Sequence, residues 1–245
     1  MKKLFLIIPV IFLTHFSYAQ NFRIGLNTGY GTYQMNDLQQ LQANEAYNLS
    51  QFHVEQVQRF PGYINYSASI DYFFNSKNLA GIHTAYYTTG GRNHVKDYSG
   101  EYYLNMPVNS WNLGLQYKYI FLNDHKLSYY LRLKGGISFS TLDIEESLTI
   151  HQVDSVTNNY AFAATSFYAE PSLGVYYTLG HNFSVNFSAG YQIDIPGALH
   201  EKGNKGNIMG SSSSHIHRNW SGIRIEAGIA YDIFRKQTGD KKSEL

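Results

Sequence analysis

The feature that most constrains this chain is an alternation of apolar and polar side chains with a period of two residues. Successive side chains of a β-strand point to opposite faces, so this period indicates strands with one apolar and one polar face. The alternation recurs in eight segments, residues 22–27, 64–72, 79–89, 111–119, 127–134, 167–179, 183–193 and 223–233. The chain is therefore predicted to be all-β, and only the facing of residues 79–89 stays open.

The apolar faces of these predicted strands carry no charged residue. Only 15% of the whole chain is charged, against about 25% in a typical soluble domain. A lysine or arginine that faces lipid near the midplane of a bilayer costs about 2–4 kcal/mol, whereas a face in contact with water has no such penalty. The apolar faces are therefore predicted to contact lipid. Their aromatic members are Tyr66, Tyr72, Trp111, Tyr117, Tyr119, Phe121, Tyr129, Phe139, Phe167, Tyr177, Phe183, Phe187, Tyr191 and Tyr231.

The opposite faces hold five positive and five negative side chains. They are Arg23, Lys118, Arg132, Lys134 and Arg224, and Asp71, Glu170, Asp194, Glu226 and Asp232. The interior of an eight-stranded barrel is just wide enough for side chains to fill it. A balanced set of charges can pair there, which predicts a structural charge network that closes the lumen. A narrow selective channel and a lumenal binding or catalytic role are the alternatives.

The connections between the predicted strands alternate between short and long. Residues 75–78, 123–126 and 180–182 are short polar hairpin turns. The long connections are residues 34–62, 90–109, 145–165 and 198–218. This alternation predicts an eight-stranded antiparallel up-and-down transmembrane β-barrel, with long loops at one end and short turns with both termini at the other.

The first long connection contains a predicted short helix. Asp37 is suited to cap its start, and Leu38, Leu41 and Leu49 follow at roughly helical spacing. We expect the intervening glutamines to face outward; they are Gln39, Gln40 and Gln42. Such a helix would lie over the mouth of the barrel, where it either caps the lumen or fills space.

Both ends of the chain are predicted to lie outside the barrel. Lys2 and Lys3 precede an apolar run at residues 4–16, and Ser17-Tyr18-Ala19 has the small-x-small pattern of a cleavage site. Residues 1–19 are therefore predicted to be a secretory signal peptide. Residues 20–234 form the barrel domain of this prediction, and residues 235–245 form a polar tail.

Motifs for chemistry are few. His215 and His217 have the spacing of two metal ligands on an extended segment, with His200 and Glu201 as further candidates, but no third ligand lies beside them. The absence of cysteine excludes thiolate metal sites, and the formal charge of +1 argues against a nucleic-acid partner. We predict no cofactor, no metal and no catalytic residue. His83 is predicted to be a hydrogen-bonded lumen or interface residue.

Three segments resemble the small outer-membrane β-barrel family, which is porin-like or OmpA/OmpX-like. They are residues 17–20 (SYAQ), 25–31 (GLNTGYG) and 228–234 (GIAYDIF). Many such barrels end on an aromatic residue that serves in assembly, whereas here Phe234 is followed by the polar tail.

The resemblance implies a location in the outer membrane of a Gram-negative bacterium, with extracellular long loops and periplasmic termini. It implies contact with outer-membrane lipid and with the barrel-assembly machinery during insertion. It fits a non-enzymatic structural or surface-interaction role, and the sequence does not define the external partner. A narrow porin for small solutes is the alternative, followed by a lipid-modifying enzyme at the barrel rim.

Overall fold

The computed structural model describes residues 22–48, 54–98, 100–150, 154–180, 182–211 and 214–233. The predicted signal peptide, Phe234 and the predicted tail lie outside these residues, as does Leu49. The helix and strands are β1 (Phe22–Gly31), α1 (Asn36–Asn48), β2 (Glu55–Arg59), β3 (Tyr63–Phe73), β4 (Asn78–Lys96), β5 (Gly100–Asp124), β6 (Leu127–Ile150), β7 (Asp154–Thr178), β8 (Phe183–Ile195), β9 (His200–Glu201), β10 (Asn204–Ile208), β11 (Gly210–Ser211), β12 (Ser214–His215) and β13 (Gly222–Ile233).

Eight of the strands form a closed antiparallel ring. Its order is β1, β3, β4, β5, β6, β7, β8 and β13, and β13 pairs back onto β1. The closing pair runs from Phe22 opposite Ile233 to Gly31 opposite Arg224. Each of the eight predicted strands lies within one strand of this ring, apart from Leu179 at the end of the sixth. The predicted fold class, an eight-stranded antiparallel barrel, is confirmed.

The strands of the ring differ in length by about a factor of two. β4, β5, β6 and β7 have 19, 25, 24 and 25 residues, whereas β1, β3, β8 and β13 have 10, 11, 13 and 12. The four long strands therefore extend past the ring at one end. This extension is widened by β2, which pairs with β4, and by β9, which pairs with β7 and β10.

Two segments predicted to be long loops form strands instead, so this prediction is wrong. Residues 90–109 and 145–165 lie almost entirely in strands, because the β4–β5 and β6–β7 hairpins continue to Lys96 opposite Glu101 and to Ile150 opposite Asp154. The short turns lie at the opposite end, between Phe73 and Asn78, Asp124 and Leu127, and Thr178 and Phe183. The backbone hydrogen bonds of both segments are therefore made within the sheet.

The predicted helix is present as α1 and packs against the inner face of the extension. Leu38 is buried, and Leu41 packs against the same apolar cluster. Asp37 lies within the first turn, and its carboxylate accepts a hydrogen bond from the backbone N–H of His217 at 2.9 Å. Gln42 was expected to face outward, which is wrong, because its side chain is fully buried and donates to Gln58 O at 2.7 Å and to Asn93 Oδ1 at 2.8 Å.

The strand whose facing was open, β4, points its odd-numbered side chains inward. Leu79, His83, Ala85 and Tyr87 are all buried. Among the described residues, no helix is long and apolar enough to cross a membrane.

Candidate functional site: the barrel interior and the chamber above it

The outer surface of the ring is an apolar belt with a sharp upper limit. On β6 the outward side chains from Leu127 to Phe139 are apolar or glycine, and the next ones are Thr141, Asp143 and Glu145. At about 3.3 Å per residue this stretch measures about 40 Å along the strand, or about 28 Å along the barrel axis at a tilt of ~45°. All fourteen aromatic residues predicted for this surface are exposed on it.

The inner surface holds all ten charges predicted for it, and each is at most 6% exposed. The strand alternation places them there, because each lies an even number of residues from its inward neighbours on the same strand.

Four of these charges form one cluster in the middle of the interior. Lys134 Nζ lies 3.0 Å from Oε1 of both Glu170 and Glu226. Arg132 Nη2 lies 2.8 Å from Glu226 Oε2 and 3.5 Å from Glu170 Oε1. Arg132 also donates to the hydroxyls of Ser172 and Ser188. The cluster therefore joins β6, β7, β8 and β13 across the lumen.

Two further ion pairs lie nearer the end with the short turns. Lys118 Nζ is 2.7 Å from Asp71 Oδ2, and Gln116 donates to the other oxygen of that carboxylate at 2.6 Å. Arg23 Nε is 2.6 Å from Asp232 Oδ1, and its guanidinium lies over the Tyr176 ring at 4.3 Å.

The last two charges lie near the extension. Arg224 contacts no carboxylate among its described hydrogen bonds; it donates to the carbonyls of Thr32 and Trp220 and lies 4.9 Å from the ring centres of Tyr33 and Tyr87. Asp194 lies 3.5 Å from Arg218 Nη1 and accepts the backbone N–H of Trp220 at 3.2 Å.

Apolar layers lie below and above the charged layers. The lower layer is Phe73, Leu79, Ile120, Tyr130, Tyr176 and Ala230. The upper layer comprises Tyr33 and Met35 just before α1, Leu38 within it, Tyr87, Val108 and Leu142 from the long strands, and Leu199 and Trp220 from the last connection. The interior is thus filled by three layers, which are apolar, charged and apolar from the end with the short turns to the extension.

Sequence reasoning missed Arg218 and Trp220, both of which are fully buried. They lie in the connection before β13, where no alternation marks an inward face. Trp220 Nε1 donates to Ser140 Oγ at 2.9 Å, and Arg218 Nη2 donates to the carbonyl of Ala164 at 3.2 Å. The pair of a bulky aromatic and a cation at i and i+2 was the only available signal.

A cavity, here called the mouth chamber, lies above the upper apolar layer. Its volume is about 270 Å³. Its apolar walls are Leu41 from α1, Leu104 and Met106 from β5, Ile144 from β6, Phe162 from β7 and Met209 between β10 and β11. Glu45, Glu146 and Tyr160 complete the lining. Burial, and secondly the charge of Glu146, raise the pKa of Glu45 above its ordinary value.

His217, one of the histidine candidates for a metal site, has its ring 3.5 Å from the carboxylate of Asp37, at the start of α1. The side chain of His215 lies outside the described part of the structure, and the described residues contain no group of three potential metal ligands. His83 Nε2 lies 2.8 Å from the hydroxyl of Tyr168 inside the barrel.

The strand ring, its apolar outer belt and its filled polar interior define a small closed β-barrel with an extension at one end. Similar structures include Ail, the attachment invasion locus protein of Yersinia pestis, in complex with the heparin analogue sucrose octasulfate, with 11% identity, a TM-score of 0.38, and coverage of 86% of this chain and 98% of that chain. OprG from Pseudomonas aeruginosa has 13% identity, a TM-score of 0.38, and coverage of 87% and 95%. The outer membrane protease OmpT from Escherichia coli has 11% identity, a TM-score of 0.32, and coverage of 87% and 96%.

No protein-family model matches the chain, and the search of curated proteins finds no match either. OprG and OmpT are outer membrane proteins.

Proposed function

We propose that this chain is an integral outer-membrane β-barrel with a closed lumen, whose extension acts at the cell surface in a structural or interaction role. The observation that carries the proposal is the inversion of polarity along β5, β6 and β7. Around the ring the outward face is apolar and the inward face is polar, whereas in the extension the inward face is apolar and the outward face is polar. Three neighbouring strands whose outward faces change from apolar to polar at the same height fit a passage from lipid into water.

The ten lumenal charges are proposed to be structural rather than catalytic. Buried charges in a medium of low polarity need partners, and nine of the ten lie within an ion pair of 3.5 Å or less. The layers of apolar side chains above and below them support a lumen that does not conduct. Outer-membrane lipid is the proposed partner of the belt, and the barrel-assembly machinery is the proposed partner during insertion.

Conductance tests the closed lumen. We expect the wild-type protein in planar bilayers to show no steady conductance.

Glu170→Gln removes one carboxylate of the central cluster and leaves Arg132 and Lys134 with Glu226 alone. Breaking a buried charge cluster in this way costs about 3–5 kcal/mol, so the unfolding temperature should fall. The control is Glu145→Gln, which removes a carboxylate from the outward face of the extension, outside the lumen. Its unfolding temperature should equal that of the wild type.

A porin predicts the opposite combination. If the wild-type protein conducts and Glu170→Gln alters ion selectivity with no change in unfolding temperature, the closed-lumen proposal is wrong and the narrow porin replaces it.

Orientation is tested by single cysteines, since the chain has none of its own. Cysteines at Asn44 and at Tyr98, which is 94% exposed at the tip of the β4–β5 hairpin, should react with an impermeant maleimide on intact cells. Cysteines at Lys77 and Asp124, in the short turns, should react only after permeabilisation. Labelling of the turn cysteines on intact cells would invert the proposed topology.

A further inference from the structure

The mouth chamber combines apolar walls with two carboxylates at its lining. Six of its nine lining side chains are aliphatic, aromatic or thioether groups, and Tyr160 adds a further ring. Pockets of this kind, in which a few polar groups orient a mainly apolar ligand, are the usual form of small-molecule sites. The chamber is built mainly between α1 and three long strands, with Met209 of the last connection beside them, so most of its wall residues lie on regular secondary structure.

The charge of the chamber has one sign. Its ionisable acids are Glu45 from α1 and Glu146 from β6, and none of the nine described side chains that line it is basic. The mutual repulsion of the two carboxylates is reflected in the raised pKa of Glu45, which is caused first by burial and then by Glu146. Tyr102 donates to Glu146 Oε1 at 3.3 Å, which leaves the second oxygen of that carboxylate for another donor.

The chamber suits an organic cation better than a metal ion. Hard metal ions take six or more oxygen ligands, and here two carboxylates lie over an apolar wall. A volume of about 270 Å³ corresponds to roughly nine water molecules at ~30 Å³ each. A ligand of about nine non-hydrogen atoms fits that space, with an apolar body against the walls and an ammonium group between the carboxylates.

We propose that the mouth chamber binds a small primary amine with an aromatic or branched apolar body, with its ammonium group held by Glu45 and Glu146. Charge complementarity and wall chemistry together select this class. An alcohol of the same shape lacks the charge, and a carboxylate of similar size adds a third negative group. The inference rests on the proposed surface role only for the side from which the ligand arrives.

Calorimetric titration of the full-length protein in phospholipid nanodiscs tests the proposal, with empty nanodiscs as the blank for partition into lipid. The probes are 2-phenylethylamine, its neutral counterpart 2-phenylethanol and the anion 3-phenylpropionate. We expect saturable binding of the amine. Binding of the alcohol should be weaker by about tenfold, because a hydrogen bond to a charged group contributes about one such factor. The anion should not bind, because it adds a third negative group.

Variants assign the site. Glu45→Gln and Glu146→Gln should each weaken amine binding by about tenfold, with little effect on the alcohol. Glu145→Gln is the matched control, because Glu145 precedes Glu146 on β6 and points to the other face of the sheet. Ile144→Trp fills the chamber and should abolish binding of both probes while the unfolding temperature stays near that of the wild type.

Three outcomes would overturn the proposal. They are no saturable binding of the amine, equal binding of amine and alcohol, or equal weakening by Glu145→Gln and Glu146→Gln. Binding by the purified protein does not depend on conductance, so a wild-type protein that conducts and still binds the amine at Glu45 and Glu146 would reject the closed lumen alone.

Discussion

We expect the central charge cluster to contribute to the register of the barrel more than to its stability. A buried ion pair gains little over apolar side chains of similar size, whereas the loss of one partner is costly. A slip of one residue along β6 would turn Arg132 and Lys134 outward onto the apolar belt, because the side-chain period of a strand is two. The pairing of both residues with Glu170 and Glu226 would be lost in such a slip.

A glycine makes room for the aromatic stack in the lower lumen. Tyr130 on β6 lies opposite Gly174 on β7, and its ring stacks on Tyr176 with 4.5 Å between centroids. A Cβ atom at residue 174 would overlap the Tyr130 ring. The ring is fully buried, so it has little space into which to move.

Gly174→Ala should therefore destabilise the barrel by about 1–3 kcal/mol, which is the usual cost of an added methyl group in a packed core. Thermal unfolding in detergent measures the effect. Gly180→Ala is the control, since a Cβ atom there has no neighbour within 4 Å. Equal unfolding temperatures for both variants would show that the Tyr130–Tyr176 stack is not rigidly packed.

At the level of elements, the sequence predicts the strands of the ring but not their extension. On β5 the apolar residues are odd-numbered from Trp111 to Tyr119, whereas nearer the tip of the hairpin Tyr102, Leu104, Met106 and Val108 are even-numbered. A break in the alternation of apolar and polar residues normally marks the end of a strand. Here the strand continues, and its apolar face changes from the outside to the inside of the barrel. The inward charges of the ring could be predicted from alternation; Arg218 and Trp220 could not, because their segment has no period.

The burial of Gln42 has a related cause. Seen along α1, Gln42 belongs to a row of glutamines that looks exposed, since helix periodicity alone does not show that β2 covers it. The structure brings the Gln58 carbonyl and the Asn93 side chain to its amide. A buried amide with two such partners is a specific attachment of α1 to the extension.

Gln42→Ala should loosen α1 without affecting the ring. Loss of the amide leaves the Gln58 carbonyl and Asn93 Oδ1 without these donors, at a cost of about 1–3 kcal/mol. Amide hydrogen exchange in α1 should accelerate by about tenfold or more, with no change in the strands of the ring. Gln40→Ala, at an exposed position of the same helix, should leave exchange unchanged. Faster exchange throughout the barrel would contradict a local role for Gln42.

At the scale of the whole molecule, the outward side chains of one strand are apolar in the belt and polar in the extension. Leu131 and Glu145 lie on the same outward face of β6, and the side chain of Leu131 is 49% exposed. In the proposed membrane location, Leu131 contacts hydrocarbon and Glu145 contacts water. The same substitution at the two positions therefore compares the two media within one strand.

Leu131→Arg should impair assembly, with a cost of about 2–4 kcal/mol for a cation near the midplane of the bilayer. Glu145→Arg should assemble normally. The fraction of folded protein, separated from unfolded protein by its mobility in unheated gels, measures the difference. Normal assembly and unchanged heat resistance of Leu131→Arg would show that this face does not contact lipid.

In the proposed surface orientation, the long pairing of β5 with β6, which runs from Asp124 opposite Leu127 to Gly100 opposite Ile150 with a register shift between Ile120 and Leu122, has a consequence for immune recognition. A flexible loop presents a linear epitope, which an antibody can recognise in the folded and in the unfolded protein. A paired ribbon offers side chains from two distant sequence segments in one fixed shape. Antibodies against this surface should therefore recognise a conformational epitope, which heat denaturation destroys and which short synthetic peptides do not reproduce.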